Sequence, residues 1–101
     1  MGLRDVRVLL VDALESGRYQ HQARQAQSEK NLLATEEISA AEVVALLHRC
    51  RGSEYSTSPL HFDPATTCHV FRPVQRGERW YIKAYFLSND AVFISVHRAE
   101  H

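Results

Sequence analysis

His69-Val70-Phe71-Arg72-Pro73-Val74, Arg79-Trp80-Tyr81-Ile82-Lys83-Ala84-Tyr85-Phe86 and Ala91-Val92-Phe93-Ile94-Ser95-Val96-His97 are three strand-like runs that decide the fold. In the middle run Trp80, Ile82, Ala84 and Phe86 fall on one side, and Arg79, Tyr81, Lys83 and Tyr85 on the other. Successive strand residues point to opposite faces, so the first set reads as core and the second as a cationic, aromatic surface. Glu, Ser and Thr would mark an ordinary solvated face. Tyr, Lys, Arg and His mark a face suited to phosphate.

Upstream of these strands the pattern is helical. Val6, Leu9, Leu10, Ala13 and Leu14 recur with helical spacing, and Gly17 follows as a stop, which predicts a helix over 3–15. Residues 20–34 are rich in Gln, Ala, Glu, Lys and Leu and predict a second, more polar helix. Ser39 and Glu42 form a capping-box pattern ahead of Val43, Val44, Leu46 and Leu47, with Gly52 as the expected end of a third helix. Between Gly52 and Cys68 the chain is polar and broken by Pro59 and Pro64, which predicts a long loop or a short edge strand. Helices first and an antiparallel meander last define an α+β domain spanning 1–101, with the helices on the apolar face of the sheet.

Composition narrows the functional classes. Twelve basic residues balance twelve acidic ones, so no global field draws in polyanions, and any anion site is local. Residues 55–101 carry five basic and four acidic residues plus four of the six histidines. Two cysteines give no disulfide framework, no apolar run reaches membrane length, and no secretory pattern opens the chain, so the expected setting is cytoplasmic with no membrane partner. His48, Cys50, His61, Cys68 and His69 lack the paired spacing of a structural zinc site, so neither a metal nor another cofactor is expected.

Turn lengths suggest the register. A four-residue loop over Gln75–Glu78 sets Val74 opposite Arg79 and Arg72 opposite Tyr81. A five-residue loop from Leu87 to Ala91 sets Lys83 opposite Ser95 and Tyr81 opposite His97, whereas a three-residue loop would set Tyr81 opposite Ser95 and break the row; the longer loop is the reading followed. Arg72, Tyr81 and His97 then make one row across three strands, with opposed Cβ atoms roughly 5 Å apart. Such a row has the parts for metal-free RNA cleavage. Arg72 and Lys83 hold the phosphate and its developing charge, His97 moves the proton, and Tyr81 bonds the phosphate or stacks on a base. Arg79, Tyr85, His69 and Arg98 are the candidate RNA-binding residues around it. The bland alternative is a solvated sheet face with cross-strand packing partners.

Val70-Phe71-Arg72-Pro73, Trp80-Tyr81-Ile82-Lys83 and Phe93-Ile94-Ser95-Val96-His97 together resemble the C-terminal sheet of RelE-like toxins of bacterial toxin–antitoxin systems, closest to the MqsR branch. The resemblance implies a RelE-like fold and an mRNA-cleaving toxin (an mRNA interferase) acting with the ribosome. It also implies restraint by a cognate antitoxin and no binding to DNA on its own. Arg72, Tyr81 and Lys83 match positions of that pattern, and His97 stands where the branch tends to carry Lys. Two positions depart from it: Glu54-Tyr55-Ser56-Thr57 lacks the branch's lysine, and Cys68 replaces a glutamine. Those departures keep a second reading open, a non-catalytic RNA- or protein-binding module of the same fold.

Overall fold

The computed structural model describes residues 2–22 and 30–99. Its elements run α1 (Leu3–Ser16), β1 (Tyr19–His21), α2 (Ala40–Arg49), a 3₁₀ turn (Gly52–Glu54), β2 (Tyr55–Leu60), β3 (Asp63–Phe71), β4 (Val74–Gln75), β5 (Glu78–Leu87) and β6 (Asp90–Arg98). The class is α+β, with the helices packed on one face of a mixed sheet ordered β1-β6-β5-β3-β2, and β4 paired to β5. Every pairing is antiparallel except β1 against β6. No helix among the described residues is long and apolar enough to cross a membrane.

Local chemistry sets the helix ends. Gly17 at φ 76° closes α1, a left-handed conformation that costs glycine little. At the start of α2 the Ser39 hydroxyl accepts from the Glu42 N–H at 3.2 Å, and the Ser39 N–H donates to Glu42 Oε1 at 3.1 Å. This reciprocal cap contributes about 1 kcal/mol. The helix stops at Arg49, earlier than Gly52, because Cys50 is already extended. Arg7 of α1 donates to the carbonyls of Leu47 and Cys50 at 3.2 and 2.9 Å, filling acceptors that the helix end leaves open. Val6, Leu10 and Ala13 of α1 and Val43, Leu46 and Leu47 of α2 bury against Phe71, Trp80, Ile82, Ala84, Phe93 and Val96 of the sheet.

Three expectations are corrected here. The helix over 20–34 does not form where the chain is described. Tyr19–His21 is a strand, 31–38 is a run of turns, and 23–29 lie outside the described residues. Parallel pairing to β6 and the bridge from Asn31 to Val96 outweigh the helix propensity of the segment. Asn31, buried, donates to the Phe93 carbonyl and accepts from the Ala34 N–H, which fixes that return to the sheet. The broken stretch 52–68 is not a long loop: its other reading, an edge strand, is what forms, as β2 in a hairpin with β3, and Pro59 is tolerated because β2 is the sheet's edge.

The third correction concerns the turns. Both hairpins are two-residue turns. Arg76 and Gly77 are both at positive φ, as a type I′ turn requires, and Ser88 at φ 57° opens the other. Val74 still faces Arg79. Beyond the second turn Phe86 faces Ala91 and Tyr85 faces Val92, but a bulge at Ile94 shifts the register so that Lys83 faces Ser95 and Tyr81 faces His97. The extra residue that parity demands sits inside β6, not in the loop.

Candidate functional site

On the helix-free face of the sheet, three side chains from neighbouring strands meet. The Arg72 guanidinium lies 5.4 Å from the centre of the Tyr81 ring. On the other side of that ring, Tyr81 stacks on His97 at a centroid distance of 5.3 Å and an interplanar angle of 29°. Register explains the convergence. Phe71 pairs with Ile82, which carries Arg72 to the level of Tyr81, and Tyr81 pairs directly with His97. Because Phe71, Ile82 and Val96 are buried in the helical core, alternation turns their neighbours outward.

The backbone fixes the His97 ring. Its Nδ1 lies 2.7 Å from the Arg98 carbonyl oxygen. A carbonyl can only accept, so Nδ1 is the donor and Nε2 of the neutral ring keeps its lone pair. Arg72 is steadied by the Ser56 hydroxyl at 3.4 Å, and its own N–H donates to the Glu54 carbonyl at 2.8 Å. Lys83 is half-buried on the same face, one alternation beyond Tyr81, between Val70 and Ser95. An arginine, a ring and an imidazole with a free nitrogen thus share one surface with a lysine beside them.

The other sequence candidates lie elsewhere. His69 is corrected outright. Strand parity places it on the helix-facing side, opposite Ala84, where it is 7% exposed and its Nδ1 is 2.8 Å from the Tyr55 hydroxyl. Arg79 donates to the Arg72 carbonyl at 2.9 Å and lies 3.9 Å from Glu54, at the end of the row. Arg98 sits over the Trp80 ring at 4.8 Å and pairs with Glu78 at 2.8 Å, away from His97's face. Tyr85 packs against Leu60, Cys68 and Ile94, a second small apolar cluster that the sequence reading missed. The signal was present in that Ile94 interrupts the polar alternation of its strand, but a bulge is needed to turn it outward.

Burial pushes the Cys68 thiol up, and nearby Lys83 only partly opposes the shift, so Cys68 is a protonated packing residue. Cys50 is likewise raised by burial. Among the described residues no three His, Cys, Asp or Glu side chains are grouped to hold a metal ion. Comparisons with protein-family models, curated proteins and solved structures give no match, so the functional reading rests on this chain's own geometry.

Proposed function

We propose that the Arg72–Tyr81–His97 row cleaves single-stranded RNA without a metal, as the toxin component of a toxin–antitoxin system. The observation that carries the reading is the Tyr81 ring held between the Arg72 guanidinium at 5.4 Å and the His97 imidazole at 5.3 Å. In the reaction His97 Nε2 takes the proton of a ribose 2′-hydroxyl, and the 2′-oxygen attacks the adjacent phosphorus. The bond to the 5′-oxygen breaks, leaving a 2′,3′-cyclic phosphate, and the leaving oxygen acquires a proton from water or from the protonated imidazole. Arg72 holds the phosphate bidentately, and Lys83 offsets the charge that grows on its oxygens. DNA lacks the nucleophile and is spared.

The resemblance to RelE-like toxins extends this reading to mRNA on the ribosome as target and to an antitoxin protein that covers the row. A stacked arginine, tyrosine and histidine is also a platform on which bases stack without being cut, and this supports the second reading, a non-catalytic module. Incubating the protein with a mixed RNA and its DNA copy tests the first. RNA alone should be cut, with cyclic phosphate ends. Induction in bacteria lacking an antitoxin should arrest growth, and Arg72→Ala with Tyr81→Phe should relieve the arrest. Intact RNA that nevertheless binds the protein would establish the module instead.

A further inference from the structure

Beside the row, where the chain leaves α2 and enters β2, lies a recess of about 560 Å³ lined by Arg49, Arg51, Glu54, Val74 and Arg79. Three guanidinium groups share it with one carboxylate, in a chain whose formal charge is zero. That carboxylate is already engaged: Glu54 Oε1 accepts from the Arg51 N–H at 2.9 Å, and Oε2 lies 3.9 Å from Arg79. Arg49 and Arg51 form no ion pair among the described residues. Helix capping does not explain them either, because Arg7 takes the open carbonyls at the end of α2. Two exposed guanidinium charges therefore face the recess without a counter-charge of their own.

The recess and the row share a wall. Arg79 donates to the Arg72 carbonyl, and the Arg72 N–H donates to the Glu54 carbonyl. Val74 lies two residues past Arg72, roughly 7 Å along an extended chain. An RNA strand carries a phosphate at every nucleotide, so a strand with one phosphate at Arg72 must place a neighbour close to the row. Apart from Val74 the lining is charged, and a folded protein partner would find little apolar area there.

We propose that Arg49, Arg51 and Arg79 form a subsite for a backbone phosphate flanking the one cleaved at the row. This rests on the RNA-cleaving reading and names where the substrate strand continues. The two arginines at the end of α2 bind the flanking phosphate and act on affinity, leaving the chemistry to the row.

The test uses a single-stranded 2′-O-methyl RNA of about ten nucleotides, which cannot be cut, and follows its binding across a salt series. Replacing both Arg49→Gln and Arg51→Gln should weaken binding about 10- to 100-fold. It should also flatten the plot of log affinity against log salt by about 0.7, the value for one single-strand phosphate no longer neutralised. Arg49→Lys with Arg51→Lys should restore most of the slope. On a dinucleotide, which has no flanking phosphate, the double Gln variant should cleave at the wild-type rate, while kcat/KM on the longer unmodified RNA should fall. Wild-type affinity and slope in the double Gln variant would overturn the subsite and leave the row untouched. Loss of binding to an acidic peptide, with RNA binding intact, would assign the recess to a protein partner and overturn it too. Failure of the wild-type protein to bind the RNA would overturn both readings together.

Discussion

Two tyrosine–histidine pairs occupy opposite faces of this sheet, and they differ in almost everything except residue type. Tyr55 and His69 face the helices, their rings nearly parallel at 10° with centroids 6.1 Å apart, joined by a 2.8 Å hydrogen bond between the Tyr55 hydroxyl and His69 Nδ1. Phe71 and Phe86 enclose them. Tyr81 and His97 face away from the helices, stack with centroids 5.3 Å apart, and carry Arg72 on the other side of the phenol ring. In the inner pair the imidazole spends its Nδ1 on a partner and is shut from solvent. In the outer pair the imidazole's Nδ1 is anchored to a backbone carbonyl, and Nε2 is left for chemistry. Residue identity offers a reactive group; strand parity decides whether it meets a substrate or a neighbour.

The sharpest way to break the contrast is to remove each histidine in turn. His97→Ala should lower the RNA cleavage rate about 10²- to 10⁴-fold, the usual loss on removing a general acid–base group, with little change in melting temperature. His69→Gln should leave the rate near wild type, because Gln can still bond Tyr55. Measuring cleavage of a labelled RNA beside a thermal melt separates the two outcomes, and equal loss of activity in both variants would erase the distinction between the faces. Arg72→Ala should follow with a drop of about 10²-fold, and Arg72→Lys should recover only part of it, since a lysine cannot bond phosphate bidentately.

How far the sequence disclosed this arrangement depends on whether a feature is local. The cap of Ser39 with Glu42 and the stripe from Val6 to Leu14 are local, and both helices appear where they were expected. Strand β1 was hidden because Tyr19–His21 precede a run of good helix formers, and only pairing with a strand seventy residues away makes them extended. The edge strand β2 was legible only as one of two readings, because Pro59 argues against a strand everywhere except at an edge and left a long loop equally open. In the row, opposing Tyr81 to His97 needed one extra residue between Phe86 and Ser95. The sequence supplies its count but not its place, and a five-residue loop and a bulge at Ile94 satisfy parity equally. His69 was misplaced for a simpler reason: it has the parity of Phe71, not of Arg72, and its chemistry drew attention from its position.

The inner pair also makes smaller predictions. Tyr55→Phe removes the hydroxyl and leaves a buried ring nitrogen without its partner. An unpaired buried polar atom costs about 1–3 kcal/mol, which in a domain of this size lowers the melting temperature by several degrees. Cleavage should be unaffected. A melt equal to wild type would show that the hydroxyl and the imidazole are each satisfied by water and that the inner pair is not closed.

The smallest effect is a dependence of stability on pH. Burial pushes the His69 imidazole below its ordinary pKa, and burial does the same to His21, which faces Phe93 and Asn31. The unfolded chain therefore binds more protons than the folded one between those depressed values and about 6.5, so stability rises with pH across that window. It is fully present above about 6.5 and is lost as pH falls through the depressed folded values. The slope is at most about 1.4 kcal/mol per pH unit for each such group. Thermal melts from about pH 7.5 to about pH 5 should show the fall, and His69→Gln should flatten it to what His21 leaves, because Gln keeps a polar atom beside Tyr55 and binds no proton. A profile that stays as steep after His69 is lost would mean that the inner histidine is hydrated in the folded state, and the two faces would then differ in reactivity for some reason other than burial.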